Sequence, residues 1–370
     1  MKWLIGCLLL MLSGFAFVKN NSLDDFFLLA VIPAVVFVGI TDRTVIKALC
    51  LVLLFLSLHF ALILRDFGTN SLLTYIGFFL VLALSIVLAF TKDREIYFEY
   101  VLRLTVLLSL VSIVYSALVF VFGEEVFLAL GNGVASFDSR GSPCFGIVNH
   151  RLHPGTSYFR NSGPFWEPGA FAVFLVLVLF HGFRLGTLTI WRALVISLAV
   201  LSTFSTSGLV MLMIFILYSV MKIEVLSKPL VLLILVVTGL AVFGVSKLDL
   251  IAGKIGNQSR SVEQDVGLRN TRFAIGLYDV QDYLDHNVFY GKGPSSDTRY
   301  RGVDDSMARA NGLSNFLVKW GGVGFVILSV IVVRGGLIWM ALIVVAGMSQ
   351  DIFVYPLTWF LIFLGNQSID

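Results

Sequence analysis

An arginine and a glutamate stand at the start of an apolar run, in the segment RNSGPFWEPGAFAVF at residues 160–174. Pro164 and Pro168 restrict helix formation ahead of that run, so we expect a helix to begin close to Glu167. At a helix N-terminus the dipole favours the anionic form of this carboxylate. Glu167 could then deprotonate a hydroxyl while Arg160 binds an anionic leaving group. The alternative is a simple capping carboxylate, with Arg160 reaching to lipid headgroups.

A second set of candidates lies in the segment GLRNTRFAIGLYDVQDYLDHNVFYGKGPSS, residues 267–296. Its apolar residues recur at helical spacing beside charged ones, which predicts an amphipathic helix at a membrane surface. Arg269 and Arg272 share one face of that helix and suit either a phosphate group or lipid headgroups. The turn that contains Gly291 and Gly293 could present backbone N–H groups to an anion.

A third segment, ARANGLSNFLVKWGGVGFVIL at residues 308–328, enters an apolar run through Asn311, Ser314 and Asn315. The Gly-rich part that follows favours close helix packing over ligand binding. The segment therefore predicts a tightly packed membrane helix whose polar start faces the preceding loop.

The composition is that of a polytopic membrane protein. Of the 370 residues, 58% are hydrophobic and 13% are charged, and the mean hydropathy is +0.93. A soluble domain is about 25% charged. Apolar runs predict ten to twelve spans, several of them short, near residues 3–18, 26–40, 45–64, 72–90, 104–122, 169–183, 190–204, 208–221, 229–245, 313–333, 335–347 and 352–365.

Basic residues between the predicted spans are distributed asymmetrically. With the N-terminus in the cytoplasm, most Lys and Arg of the short loops lie inside, which is a strong positive-inside signal. Two long external segments remain, residues 123–168 and 246–312, and they hold nine of the sixteen arginines. Because arginine grips phosphate through its planar fork, Arg140 and Arg151 join the candidate binding residues. The alternative is that these loops pair their cations with their own acids.

Ionisable groups are rare inside the predicted spans, where His59 and His181 are the visible exceptions. Ion-coupled transporters usually keep charged sites near the middle of the membrane. The charge here lies where loops meet the membrane, so we expect any chemistry at the external face. His150 and His153 are spaced like metal ligands but no third ligand is clustered with them, so no metal site is predicted.

The chain resembles the O-antigen polymerase (Wzy-type) and O-antigen ligase superfamily of bacterial inner-membrane glycosyltransferases. The resemblance rests on the order and spacing of four segments across residues 155–330, namely RNSGPFWEPGAFAVFL, STFSTSG, RFAIGLYDVQDYLDHNVFYGKGP and NGLSNFLVKWGGVG. Each segment is loosely defined alone, and their order makes the match specific.

The resemblance implies an all-α, GT-C-like membrane protein, one integral domain over residues 1–370, with two long and partly helical periplasmic loops. Both termini would be cytoplasmic and the active site would face the periplasm. The implied reaction needs no metal or cofactor and transfers a glycan from undecaprenyl diphosphate to another lipid-linked unit. A chain-length regulator in the same membrane is an implied partner, and nucleic acid is not. The implied catalytic residues are Glu167, Arg160 and Arg272, and the implied substrate-binding residues are Arg269, Gly291, Gly293, Asn315, Arg140 and Arg151.

One departure from the superfamily bears on the reaction. Many members carry His-Asn where this chain has Ser314 and Asn315, and the ligases need a histidine in this later region. Its absence favours a polymerase over a ligase and leaves Glu167 as the first candidate for the general base, with His286 as the second. The alternatives are a ligase-like transferase and, from another functional class, a polysaccharide flippase or other transporter.

Overall fold

The computed structural model describes residues 2–13, 15, 30–33, 35, 43–67, 72–122, 144–145, 148–152, 159–222, 280, 284, 289–294 and 311–366. This part of the chain is mostly helical. Its helices are α1 (Lys2–Met11), α2 (Arg43–Phe67), α3 (Leu72–Phe90), α4 (Arg94–Phe122), α5 (Pro168–Arg184), α6 (Ile190–Ser202), α7 (Thr206–Lys222), α8 (Gly312–Arg334), α9 (Leu337–Ser349) and α10 (Pro356–Gly365), with a 3-10 helix at Ile352–Val354.

Four segments are long and apolar enough to cross a membrane, namely Val45–Leu64 within α2 and the whole of α3, α4 and α8. The other named helices are apolar but only 10–17 residues long. Together they agree with the expected all-α membrane protein. The total of ten to twelve spans stays a prediction, because the span expected at 229–245 lies outside the described residues and that at 26–40 is described only at 30–33 and 35.

Helix α4 begins ten residues before the apolar run that predicted it. Its first turns are charged, and Glu99 receives ion-pair contacts from Arg103 at 2.7 Å and from Arg192 at 2.8 Å. These contacts pair the charge of the Glu99 side chain, so charged residues can form the first turns of the helix, ahead of the apolar run. Hydropathy alone therefore located the apolar part of α4 and not its start.

The chain forms two compact units, and its organisation as one integral membrane domain stays a prediction. The first unit contains Met1–Ser13, Leu23–Phe98 and Gln264–Asp370, and the second contains Gly14–Ser22 and Glu99–Glu263. Each unit carries part of the predicted site.

In the first unit, α10 packs along α3 and the end of α1 contacts the start of α10. The Ser85 hydroxyl donates to the Pro356 carbonyl over 2.8 Å, and the Leu357 N–H donates to the Ser13 hydroxyl over 3.1 Å. Since Pro356 is the first residue of α10, the bond from Leu357 satisfies an N–H group that the helix start would otherwise leave unpaired, and the bond from Ser85 connects α3 to the same turn.

In the second unit, α5 is the central helix, and every residue from Pro168 to Gly182 is buried. A helix that is apolar all round is expected at such a position. It packs against α6 and α7, and the close approach of α7 depends on Gly208, where an added Cβ would overlap Ala172. The predicted apolar run at 169–183 thus corresponds to the best-buried helix of this unit.

A three-stranded antiparallel sheet precedes α5, with strands β1 (Cys144–Phe145), β2 (Val148–Leu152) and β3 (Phe159–Gly163) in that order. The strands were not predicted from the sequence, and the expectation that the first long loop is partly helical stays a prediction, because residues 123–143 lie outside the described residues. Val, Phe and Tyr are frequent in CFGIVNHRLHPGTSYF, and such residues favour strands. In the register of the sheet, Arg151 lies opposite Arg160.

Candidate functional site

The candidate residues are divided between the two units. Arg160, Glu167 and the backbone of Arg151 belong to the second unit, whereas Gly291, Gly293 and Asn315 belong to the first. Arg140, Arg269, Arg272 and His286 lie outside the described residues, as does all of the expected amphipathic helix except Val280 and Leu284, which are helical and exposed. The meeting of Arg160 and Arg272 on one diphosphate therefore stays a prediction.

Glu167 stands at the N-terminus of α5, as the sequence predicted. It is the N-cap residue, with extended backbone angles of φ −150° and ψ 141°, and Pro168 begins the helix. The carboxylate makes no capping hydrogen bond to the helix, which removes support from the simple capping alternative. Trp166 and Glu167 are partly exposed, whereas the residues on both sides of them are buried. The carboxylate therefore lies at the edge of a buried helix, where the helix dipole stabilises negative charge.

Arg160 binds the turn between α6 and α7. Its Nε donates to the Thr203 carbonyl over 3.0 Å, and its Nη2 donates to the Phe204 carbonyl over 3.2 Å. These carbonyls end α6, so the cation also opposes the negative end of the helix dipole. Phe204 has a φ of 46°, an uncommon conformation for a residue with a side chain. The arginine is thus held in one orientation rather than extended towards lipid headgroups.

Asn161 is a functional candidate that the sequence analysis missed. It is 1% exposed, and its Nδ2 donates to the Ser112 hydroxyl over 3.0 Å and to the Ser202 hydroxyl over 2.8 Å. Its Oδ1 accepts the N–H of Gly163 over 2.8 Å. The side chain therefore joins α4, α6 and the strand that leads to Glu167. The available signal was a lone amide beside Arg160 in a segment that becomes apolar.

In the first unit, α8 is interrupted at Gly321, whose φ of 66° and ψ of −172° are not helical. In a continuous helix the carbonyls of Val318 and Lys319 would accept the N–H groups four residues later. Here they accept the N–H groups of Lys292 over 2.8 Å and Gly293 over 3.0 Å. The GKG turn, residues 289–294, therefore takes the place of hydrogen bonds that the helix lacks at its break.

The backbones of the GKG turn and of α8 lie in close contact. A Cβ on Gly291 would lie 2.5 Å from the Lys319 carbonyl oxygen, and a Cβ on Gly321 would overlap the Phe289 and Tyr290 backbone. The turn was expected to present N–H groups to an anion. Two of these groups, on Lys292 and Gly293, already donate to carbonyls of α8. The described contacts of Gly291 and Gly293 are thus those of a packing element.

His59, one of the two ionisable groups noted inside the spans, attaches the GKG turn to the helices. Its Nε2 lies 2.6 Å from the Tyr290 carbonyl oxygen, and its Nδ1 lies 2.8 Å from the Tyr75 hydroxyl. Since a carbonyl only accepts, Nε2 carries a hydrogen, and the tyrosine hydroxyl can donate to Nδ1. No group of three or more His, Cys, Asp or Glu side chains that could hold a metal occurs among the described residues.

A cavity of about 330 Å³ adjoins the GKG turn in the first unit. It lies where the starts of α3 and α8 meet the 3-10 helix, and its polar lining includes Asn315, Lys319 and Asp351. The Asn315 Nδ2 donates to the Asp351 carboxylate. Asn315 was expected to bind substrate, but its two charged neighbours were missed. Lys319 lies within the apolar run at 313–333, and Asp351 separates two predicted spans.

The four segments that carry the superfamily resemblance form contacts within each unit. The segment at Arg160 binds the STFSTSG turn in the second unit, and the GKG turn binds the broken helix α8 in the first. Both contacts use backbone carbonyls at a helix end or break, where hydrogen-bond acceptors are otherwise unfilled. No protein-family model, no curated protein and no solved structure matches the chain, so the resemblance rests on these segments.

Proposed function

We propose that this chain is a glycan polymerase of the bacterial cytoplasmic membrane. It would transfer a growing glycan from undecaprenyl diphosphate to a sugar hydroxyl of another lipid-linked repeat unit at the external face. The observation that carries the proposal is the position of Glu167, a partly exposed acidic residue at the N-terminus of a buried helix. The order of the four segments supports the same reaction.

In the proposed reaction, the acceptor hydroxyl gives its proton to the Glu167 carboxylate. The oxygen attacks the anomeric carbon of the donor, and the bond from that carbon to the diphosphate oxygen breaks. The lipid diphosphate leaves with the bonding electrons, and the configuration at the anomeric carbon inverts. No metal or cofactor enters this scheme.

The leaving diphosphate needs positive charge, and Arg160 is suited to supply it. Two of the five N–H donors of its guanidinium bind the Thr203 and Phe204 carbonyls, which fixes the plane of the group. A donor that needs no reorganisation contributes ~2–4 kcal/mol to the stabilisation of a transition state. Arg272 and Arg269 would add further charge, with Arg140 and Arg151 as binding residues.

The test is Glu167→Gln in cells that depend on this chain for their surface polysaccharide. The amide keeps the size of the side chain and cannot accept the proton, so we expect polysaccharide chains of a single repeat unit. Chain length is read by gel electrophoresis of the polysaccharide, and the amount of protein in membranes by immunoblot. Glu95→Gln is the matched control, because Glu95 also lies at a helix start, in the first turn of α4, and is not one of the candidate residues. Long chains in a normally expressed Glu167→Gln variant would remove the catalytic role.

A transporter is the second candidate function, and the broken helix α8 is the observation that favours it. Discontinuous helices beside polar cavities are frequent in transporters. The same cells separate the two functions, because a flippase defect leaves no repeat unit outside whereas a polymerase defect leaves single units. A ligase-like reaction has less support, since the Ser314 hydroxyl donates to the Asn311 carbonyl within the first turn of α8.

A further inference from the structure

The polar groups of the cavity beside the GKG turn are pre-organised by backbone contacts. At Gly312 the first turn of α8 lies directly against the Gln350 backbone, and a Cβ on Gly312 would overlap the Gln350 carbonyl. Asn311 caps the same turn by accepting the Ser314 N–H over 3.2 Å. The bond from Asn315 to Asp351 is therefore formed between two segments whose backbones already touch. Its polar groups are oriented before any ligand arrives.

The charges of the cavity exclude two classes of ligand. Lys319 and Asp351 are the charged side chains among the described residues that line it, and their formal charges sum to zero. A diphosphate would meet one cation and an opposing carboxylate, which is unfavourable for a group with several negative charges. An isoprenoid chain would cover Lys319, Asp351 and Asn315 without giving them hydrogen bonds, at a cost of several kcal/mol. The lining therefore favours a neutral ligand that is rich in hydroxyl groups.

Four aromatic side chains also line the cavity, namely Phe78, Phe316, Trp320 and Phe353. Phe78 is partly exposed and stacks on Trp320 with ring centroids 4.6 Å apart, while Phe316 and Phe353 are almost fully buried. A rigid aromatic face suits the C–H face of a sugar ring, and the carboxylate and amide suit its hydroxyl edge. At about 330 Å³, the cavity is at the lower end of the ~300–1,000 Å³ typical of small-molecule sites. This volume has room for a sugar ring.

We propose that this cavity binds a single neutral sugar ring, with Asp351 and Asn315 on its hydroxyls and Phe78 on its apolar face. The assignment of that ring to the acceptor repeat unit rests on the proposed polymerase function. Leu73 is 78% exposed at the cavity and Val354 is 37% exposed, so exposed apolar side chains belong to the lining. Apolar side chains beside Asn315 and Asp351 suit a sugar that is carried on a membrane lipid.

Saturation-transfer NMR on the full chain in lipid nanodiscs tests the binding directly. The probes are the methyl glycosides of glucose, galactose, N-acetylglucosamine and rhamnose, each at millimolar concentration. We expect transfer to at least one of them, and a loss of affinity of about tenfold or more in Asp351→Asn, because hydrogen bonds to charged groups are the stronger ones. The new amide still offers a carbonyl oxygen to Asn315, so the fold is kept.

Asp93→Asn is the matched control, because Asp93 pairs with Lys2 at 2.7 Å in the same unit and does not line the cavity. Phe78→Leu provides a second variant, with weakened transfer expected at the ring protons of the sugar. If Asp351→Asn does not purify in folded form, Phe78→Leu decides the question. No transfer from any glycoside, or equal transfer in the variant and in wild type, would overturn the sugar site.

The outcome separates this proposal from the polymerase proposal. Binding that depends on Asp351, together with normal polymer in Glu167→Gln cells, keeps the sugar site and removes the polymerase assignment of Glu167. Loss of polymer in Glu167→Gln cells, with no glycoside bound by the purified chain, removes the sugar site alone.

Discussion

The two units expose polar groups in contrasting ways. In the second unit, α5 has regular geometry, and Glu167 stands at its start, directly before Pro168, as the N-cap residue. In the first unit, α8 is broken at Gly321, and a turn far away in the sequence supplies the missing hydrogen bonds. Local sequence is enough to place a carboxylate at a helix start. A broken helix needs a partner segment, and the polar lining of the cavity depends on that partner.

The largest expected effect comes from Gly321→Ala. The new side chain would adopt a conformation that is nearly exclusive to glycine, at ~1–3 kcal/mol, and would also overlap the GKG turn. We expect the unfolding temperature in detergent, measured by circular dichroism, to be lower than that of the wild type. Gly186→Ala is the matched control, because Gly186 has the same φ of 66° and nothing within 4 Å of its Cβ position. Equal decreases in the unfolding temperature of the two variants would mean that the GKG turn does not stabilise α8.

An intermediate effect is expected from Arg160→Ala in the second unit. The variant loses two hydrogen bonds to the end of α6, and we expect destabilisation by ~1–3 kcal/mol, measured by denaturant unfolding. Arg103→Ala is the control, because Glu99 keeps its contact with Arg192 in that variant. Polymer length measured at a temperature where Arg160→Ala stays folded separates the two roles of the arginine. Normal polymer under that condition would restrict Arg160 to supporting the turn.

The smallest effect is expected from His59→Gln. The amide can still donate to the Tyr290 carbonyl but loses the bond to Tyr75, for a cost of ~0.5–1.5 kcal/mol. We expect faster hydrogen exchange in the peptide that contains residues 289–293. Tyr75→Phe removes the same bond from the other side, so the double variant should exchange no faster than either single variant. An additive effect would show that His59 and Tyr75 act independently.

The difference between the units also explains what the sequence could predict. The start of α5 at Pro168 and the bounds of α3 follow from local rules on proline and on apolar length, and both predictions are confirmed. The STFSTSG segment separates α6 from α7, again as a local pattern predicted. These features depend on residues within a few positions of each other.

Other parts of the site depend on residues far apart in the chain. Asn161 forms hydrogen bonds with Ser112 and Ser202, and Asp351 forms one with Asn315. Nothing in the spacing of these residues along the sequence indicates that they meet. Lys319 was overlooked because hydropathy averages a single cation into its apolar surroundings. The strands β1 to β3 were missed because the long segment between apolar runs was interpreted from its position and charge. The pattern of its side chains was not used to predict secondary structure.

The break in α8 has a consequence for the assembly of the protein in a bilayer. Backbone groups that face hydrocarbon without a hydrogen bond cost several kcal/mol each. Val318 and Lys319 obtain their donors from the GKG turn, so the segment 312–334 reaches its final backbone geometry only when that turn is in place. We expect the segment to enter the bilayer as an ordinary continuous helix and to open at Gly321 afterwards. Maturation of the first unit would then be a single late event, in which the cavity forms together with the helix that lines it.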